Sequence, residues 1–314
     1  MRAIRFHQYG GPEVLRHEDV DVPNPSRGQV RVRVAGTSFN GVENNIRAGR
    51  MQGPMPMALP HTPGVDVAGV VDALGPGVEG PAVGDAVVAF LPFATDGAAA
   101  DHVLVEAASL APAPTSVPLA EAAVLPTVGL TAYQALFVHA DLRRGQRVLV
   151  NGAGGAVGAY AVQLARAAGA HVVATAGPTG RDRVRALGAD EVVDHTTTDL
   201  LTAVGNPVDV LLNLAPVDPA TYASLVALVA DDGVVVGTTV WMPAPSDEPR
   251  GVRGVDMYVE SDAAQLAELT ARVDRDELRL FVTERVALED LPDVHARAEA
   301  GTLSGKVLVV VAQD

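Results

Sequence analysis

The chain has no cysteine among its 314 residues. That removes disulfides, a thiol nucleophile, redox dithiols and any cysteine-ligated zinc or iron–sulfur centre. Long apolar runs are missing too: Val148–Val150 and Val307–Val311 fall far short of the roughly 20 residues a membrane helix needs. The opening segment MRAIRFHQYGGPEVL has no apolar core of a secretory leader. A cytoplasmic protein with no membrane partner is expected. Basic residues are scarce, 23 against 38 acidic ones, for a formal charge of −15. A negative field of that size repels phosphate backbones, so nucleic acid is not an expected partner. No GxSxG elbow and no paired-carboxylate motif stands out.

Hydrophobic residues make up 48% of the chain and charged ones 19%, which suits a packed globular protein. The length suits two domains of roughly 100–200 residues. The first third reads as β-rich, with short apolar or alternating runs at 3–6, 29–35, 65–74, 85–89 and 99–105. Turn signals such as Gly10-Gly11-Pro12 and Gly75-Pro76-Gly77 separate them, and only 42–48 looks helical. Near Pro118 the character changes: 119–125 and 130–139 are Ala-rich and helix-like. From 147 onward strands (147–151, 170–176, 191–194, 208–213, 233–238) alternate with helices (156–168, 180–187, 197–204, 219–230). That alternation predicts βαβ units and a doubly wound parallel sheet. The tail predicts helices over 262–273 and 288–300 and strands over 278–283 and 306–311. Pro243–Gly254 reads as a long loop.

The strongest local signal is VLVNGAGGAVGAYAVQLARAAGAHVVATA. A Val/Leu strand enters Gly152, Gly154, Gly155 and Gly158, with Ala156 and Val157 at the start of an amphipathic helix and a second strand beyond it. Such glycines let a pyrophosphate approach main-chain N–H groups at a helix N-terminus. The spacing is not the strict GxGxxG, and a close-packed αβ turn would use the same glycines. An NAD site places an acid at the end of the second strand. Here that strand ends Ala174-Thr175-Ala176-Gly177-Pro178, followed by Arg181 and Arg183. A guanidinium suits a 2′-phosphate, so NADPH is the expected cofactor.

The landmarks in order are GGPEVL (10–15), AGTSFNGVENNIRAG (35–49), PGVDVAGVVDALGPGV (63–78), VGDAVVAF (83–90), LPTVGLTAYQAL (125–136), the glycine loop, RALGADEVVDH (185–195) and GKVLVV (305–310). With these, the chain resembles the zinc-free quinone oxidoreductase branch of the medium-chain dehydrogenase/reductase superfamily over essentially its whole length. The resemblance implies an α/β protein with a Rossmann doubly wound parallel sheet (119–249) and a discontinuous GroES-like, β-rich catalytic domain (1–118 and 250–314). It also implies an active site in the interdomain cleft and a homodimer joined through an edge of the Rossmann sheet, for which 233–240 is the candidate strand.

By position, the resemblance implies that Asn40 lies near the nicotinamide and that Thr127 and Thr131 line the cofactor cleft. Arg181 would meet the 2′-phosphate, with Gly177 and His195 at the adenosine end. Asn213–Ala215 and Gly237, Thr238 and Thr239 would face the nicotinamide ribose and ring. Bland roles remain open: a turn cap for Asn40, helix-start positions for the threonines, a surface site for His195. Two departures stand out. Where zinc dehydrogenases carry Gly-His-Glu this chain has Gly64-Val65-Asp66, so no metal is expected, and His61 reads as a turn or surface residue. Where relatives carry Asp then Tyr, it has Glu43 and Asn45, which puts a quinone substrate in doubt.

The expected reaction is hydride transfer from NADPH to a small apolar conjugated carbonyl, a quinone or an enone. Positioning and a few hydrogen-bond donors would carry the catalysis. Met51, Met55, Met57, Trp241 and Met242 are candidates for an adaptable substrate wall, or ordinary packing. A pathway-specific enoyl reductase, a non-redox enzyme on the same fold and a non-catalytic NADPH-binding protein are the alternatives.

Overall fold

A computed structural model describes residues 1–53, 55–239 and 241–312. The chain divides into two compact units, Met1–Thr127 with 261–314, and Val128–Glu260. In the first, the hairpin of β1 (Arg2–Arg5) and β2 (Arg16–Asp19) precedes the long strand β3 (Gln29–Ser38). Valines at every second position of β3 face inward, the period of a half-buried strand. A single helix, α1 (Gly41–Arg47), follows. Then come β4 (Asp66–Leu74), β5 (Ala86–Phe90), β6 (His102–Glu106) and the short β7 (Ala111–Pro112).

Residues Leu119–Val124, expected to be an α-helix in the nucleotide domain, form a 3-10 turn that belongs to the first unit. A Cβ on Gly36 of β3 would meet the Ala120 carbonyl oxygen at 2.8 Å. That close packing moves the boundary from 118 to 127. The next helix, α2 (Pro126–Tyr133), changes into a π-helical stretch over Gln134–His139. The Gln134 amide donates to the Glu260 carbonyl and accepts from its N–H.

The second unit is a six-stranded parallel sheet. Its strands are β8 (Arg147–Asn151), β9 (His171–Thr175), β10 (Glu191–Val193), β11 (Val208–Asn213), β12 (Val229–Gly237) and β13 (Arg253–Asp256), in the spatial order β10-β9-β8-β11-β12-β13. Between them run α3 (Ala156–Ala167), α4 (Arg181–Ala186), α5 (Leu200–Ala203) and α6 (Pro219–Leu225). Leu149, Val173, Leu211, Val235 and Tyr222 share one buried core. The order reverses at β8, and in such sheets the carboxyl ends of the strands beside the reversal take the ligand.

Arg253 and Gly254, expected to close the loop 243–254, open the edge strand β13 instead. β12 is therefore interior, and the run 233–240 is not the sheet edge; Val240 itself lies outside the described residues. The chain then returns through α7 (Ala263–Asp274), β14 (Glu284–Ala287), α8 (Leu291–Glu299) and β15 (Val307–Val310). The first unit's sheet runs β14-β15-β3-β4-β5-β7, with β6 also on β3. Among the described residues no helix is long and apolar enough to cross a membrane.

Candidate functional site

The glycine loop leaves β8 and enters α3. Gly152 has φ +89°, a left-handed conformation that favours glycine. A Cβ on Gly158 would lie 2.5 Å from the Ala153 Cα, so this residue must be glycine for the helix to pack on the loop. A Cβ on Gly154, by contrast, would meet only the Ala176 methyl at 4.0 Å. The loop is thus tight on its inner side and open above Gly154, where N–H groups at the start of α3, from Ala156 and Val157 onward, can receive an anion. These residues fit the pyrophosphate of a dinucleotide.

The loop is fixed from beneath by a buried chain of polar groups across three strand ends. Gly152 N–H donates to Thr175 Oγ1 at 2.8 Å, Thr175 donates to Asn151 Oδ1 at 2.8 Å, and Asn151 donates to Asn213 Oδ1 at 2.8 Å. Asn213 in turn donates to the Ala215 carbonyl. Asn213, expected at the cofactor, is fully buried and holds the loop scaffold. Thr238 Oγ1 donates to the Asn213 carbonyl at 3.4 Å. A Cβ on Gly237 would lie 2.8 Å from Tyr222 Oη, whose pKa burial pushes up to about 12.

At the end of β9, Arg181 opens α4 and pairs with Asp194 at 2.9 Å. The Thr196 hydroxyl and N–H, with Arg181 nearby, hold that carboxyl below the usual range. Arg183 donates to the Gly154 carbonyl at 2.6 Å, directly on the glycine loop. His195 is exposed, and its Nε2 would stand 3.7 Å from a Cβ on Gly177. Gly177, Arg181, Arg183 and His195 therefore gather at one strand end, next to the loop.

In the first unit, Asn40 is the N-cap of α1. Its amide donates to Asp66 Oδ2 at 2.9 Å and to the Ser38 carbonyl at 3.3 Å, and accepts from Lys306 Nζ at 2.6 Å. Asp66, fully buried, also accepts from Ser38 Oγ and from both the N–H and the hydroxyl of Thr127, each at 2.7 Å. Asn40 and Thr127, read separately from the sequence, thus meet on one carboxylate. Thr131, also buried, lies four residues along α2 from Thr127, on the same helix face.

Glu43 closes a capping box with Asn40 and accepts from Gly64 and Val65 N–H at 2.7 and 3.2 Å. Burial outweighs these bonds and pushes its pKa up to about 7. Val65, in the zinc-ligand position, is buried. His61 is not a surface residue: it is buried edge-to-face on Phe6 at 5.3 Å, and burial lowers its pKa. Met51 and Met242 are buried packing residues, whereas Trp241 is exposed. Asn45 accepts from Arg50 at 3.0 Å. Among the described residues no group of three or more His, Asp or Glu could hold a metal.

A strand-end crevice over a glycine loop is the architecture of a dinucleotide-binding domain. Two family models match: "Alcohol dehydrogenase GroES-like domain" over residues 26–115 and "Zinc-binding dehydrogenase" over 187–309. The chain is 32% identical to a chloroplast envelope quinone oxidoreductase homolog of Arabidopsis thaliana, over 98% of each chain. The quinone oxidoreductase of Coxiella burnetii superposes with a TM-score of 0.90 at 26% identity over 99% of each chain. A mycobacterial protein solved in complex with NADPH superposes at 0.85 with 28% identity, covering 99% of this chain and 100% of its own. The chain belongs to the quinone oxidoreductase branch of the medium-chain dehydrogenase/reductase superfamily. It is an oxidoreductase that uses a nicotinamide cofactor.

Proposed function

We propose that the protein transfers a hydride from NADPH to a small conjugated carbonyl, a quinone or an enone, without a metal. The observation that carries the proposal is the pair of arginines at the end of β9, one on the glycine loop and one tethered beside it. Two guanidiniums there suit the additional phosphate of NADPH, and the strand itself ends without an acid. The solved NADPH complex of a relative supports the same choice. When bound, NADPH supplies the hydride.

The chain's own residues bind, orient and stabilise. The glycine loop takes the pyrophosphate, and the buried chain from Gly152 to Asn213 keeps that loop in place. Asn40 is the proposed catalytic residue. Its bond to Ser38 is long, so that amide N–H is left to be shared with the acceptor oxygen as charge builds there, while Asp66 and Lys306 hold the amide in place. Thr127, Thr131, Ala156, Val157, Gly177, His195, Gly237 and Thr238 are proposed to contact the cofactor. The carbonyl product takes its proton from solvent.

Two measurements test this. NADPH oxidation is followed against quinones and α,β-unsaturated carbonyls, for the wild type and for Asn40→Ala. Loss of one oxyanion donor predicts a kcat lower by roughly ten- to a thousandfold, with NADPH affinity little changed. Undiminished turnover in Asn40→Ala would remove Asn40 from catalysis. Tight NADPH binding with no turnover on any acceptor would favour a non-catalytic protein. Zinc-free chemistry predicts unchanged activity after chelator treatment and no stoichiometric zinc by elemental analysis. One tightly held zinc per chain would overturn it.

A further inference from the structure

Lys306 is the chain's single lysine; the other 22 of its 23 basic residues are arginine. It is also among the most buried side chains, only 1% exposed. A surface cation contributes little and either residue serves, but a buried cation must have every donor met. Around Nζ stand three acceptors: Asn40 Oδ1 at 2.6 Å, the Phe39 carbonyl at 3.2 Å and Asp66 Oδ2 at 3.2 Å. An ammonium offers three N–H groups from one point, whereas the planar five-donor fork of arginine would leave donors unmet. The site therefore selects lysine in a chain that otherwise uses arginine.

The carboxylate side is equally saturated. Asp66 receives Ser38, Asn40, Lys306 and two donors of Thr127. The charges cancel inside the unit, so the pair is closed to solvent. Its rim is formed by Asn40 and Thr127, each 8% exposed, while Asp66 and Lys306 stay at 0% and 1%. An unrestrained amide can flip its oxygen and nitrogen. Here a cation fixes the Asn40 oxygen and an anion fixes its nitrogen, so only one orientation fits.

We propose that Lys306, with Asp66, is a positioning residue for hydride transfer, holding the Asn40 amide with its oxygen inward. This rests on the role given to Asn40 above. Lys306, 1% exposed, touches neither substrate nor cofactor; it acts through Asn40. A role in stability alone would make the same site merely a buried ion pair, and the two roles separate in kcat per folded molecule.

The test uses the absence of other thiols. In Lys306→Cys the new side chain carries the protein's only thiol. Alkylation of the unfolded chain with 2-bromoethylamine, then refolding, rebuilds an ammonium of nearly lysine length. Lys306→Cys and Lys306→Met are expected to lose kcat at least tenfold with a quinone or enone acceptor, well below their Tm. Their NADPH Kd should stay within about threefold, because the loop lies on other residues. Aminoethylation should return kcat to within about threefold of wild type.

If Lys306→Met and Lys306→Cys fail to fold, Lys306→Gln, which keeps two N–H donors, carries the same comparison. Wild-type kcat in the folded methionine or glutamine variant would overturn the proposal, as would aminoethylation that restores Tm but not kcat. The side-chain amide resonance of Asn40, assigned with Asn40→Ala, gives a readout independent of turnover. It should shift in Lys306→Met, and an unmoved resonance would also overturn the proposal. A wild type that binds NADPH but reduces no acceptor would instead be a failure of the proposed function.

Discussion

At the scale of single residues, the two arginines after β9 have different work. Arg181 is held by Asp194 and stands beside the loop, whereas Arg183 grips the loop through the Gly154 carbonyl. Arg181→Ala is expected to weaken NADPH by about ten- to a hundredfold, the loss of a charged hydrogen bond, and NADH little. Arg183→Ala is expected to weaken both, because it loosens the loop that receives the shared pyrophosphate. Titration of each variant with both cofactors checks this, and equal effects of Arg181→Ala on NADPH and NADH would refute the assignment. Position in sequence identified Arg181 but not the contact of Arg183, since a side-chain reach across two loops leaves no periodic trace. Lys306 had a signal: a lone lysine just before a buried strand. Asp66 had one too, an acid inside the otherwise apolar PGVDVAGVV.

At the scale of elements, α1 is held from both ends by buried groups that titrate in opposite senses. Glu43 caps it, and Asn44 accepts from His295 Nδ1 of α8 at 2.7 Å, while Arg47 pairs with Glu299 of the same helix. Burial and the nearby Arg47 lower the His295 pKa from 6.5 to about 3. Above pH 6.5 that imidazole is neutral folded and unfolded. As pH falls from 6.5 to 3 only the unfolded chain takes the proton, so stability is lost, roughly 5 kcal/mol in all. Glu43 runs the other way. Its folded pKa lies above its unfolded one, so as pH rises from 4.5 to 7 the unfolded chain releases its proton first. Stability falls by about 3 kcal/mol across that window and stays lower above it.

The two slopes oppose each other between pH 4.5 and 6.5, so Tm should be nearly flat there and fall on both sides. Glu43→Gln should abolish the fall between pH 6.5 and 7 and turn the flat stretch from 4.5 to 6.5 into a rise; an unchanged Tm profile in that variant would refute the assignment. The helix α1 itself was legible as the one helix-like run near 42–48, but not its buried face, which carries Glu43, Asn44 and Arg47 beside Ile46. The strand β13 was not. Arg253-Gly254-Val255-Asp256 has one apolar residue and the polar composition of a loop. It becomes a strand because β12 offers it a partner, which is tertiary pairing rather than local preference. The 3-10 turn at 119–124 was misread for the same reason: alanine favours a helix, but the close approach to Gly36 sets the geometry.

At the scale of the molecule, the position of β13 replaces 233–240 as the surface through which a homodimer would form. The strand ends the sheet and leaves an edge without a partner strand among the described residues. A partner added antiparallel about a two-fold axis pairs residues of the same face, because the axis keeps each face of the sheet. Centred on Val255, the one apolar residue of the strand, that axis sets Val255 of one copy opposite Val255 of the other. Light scattering is therefore expected to give twice the chain mass. Val255→Lys should raise the dimer dissociation constant about tenfold, because it removes an apolar contact at the axis and sets like charges directly opposite each other, an effect that salt should reduce. Val255 is half-buried within its own chain, so the variant needs an unchanged Tm for the comparison to count. A wild-type chain that stays monomeric at every concentration would remove the dimer, and a dimer insensitive to Val255→Lys would move it to another face.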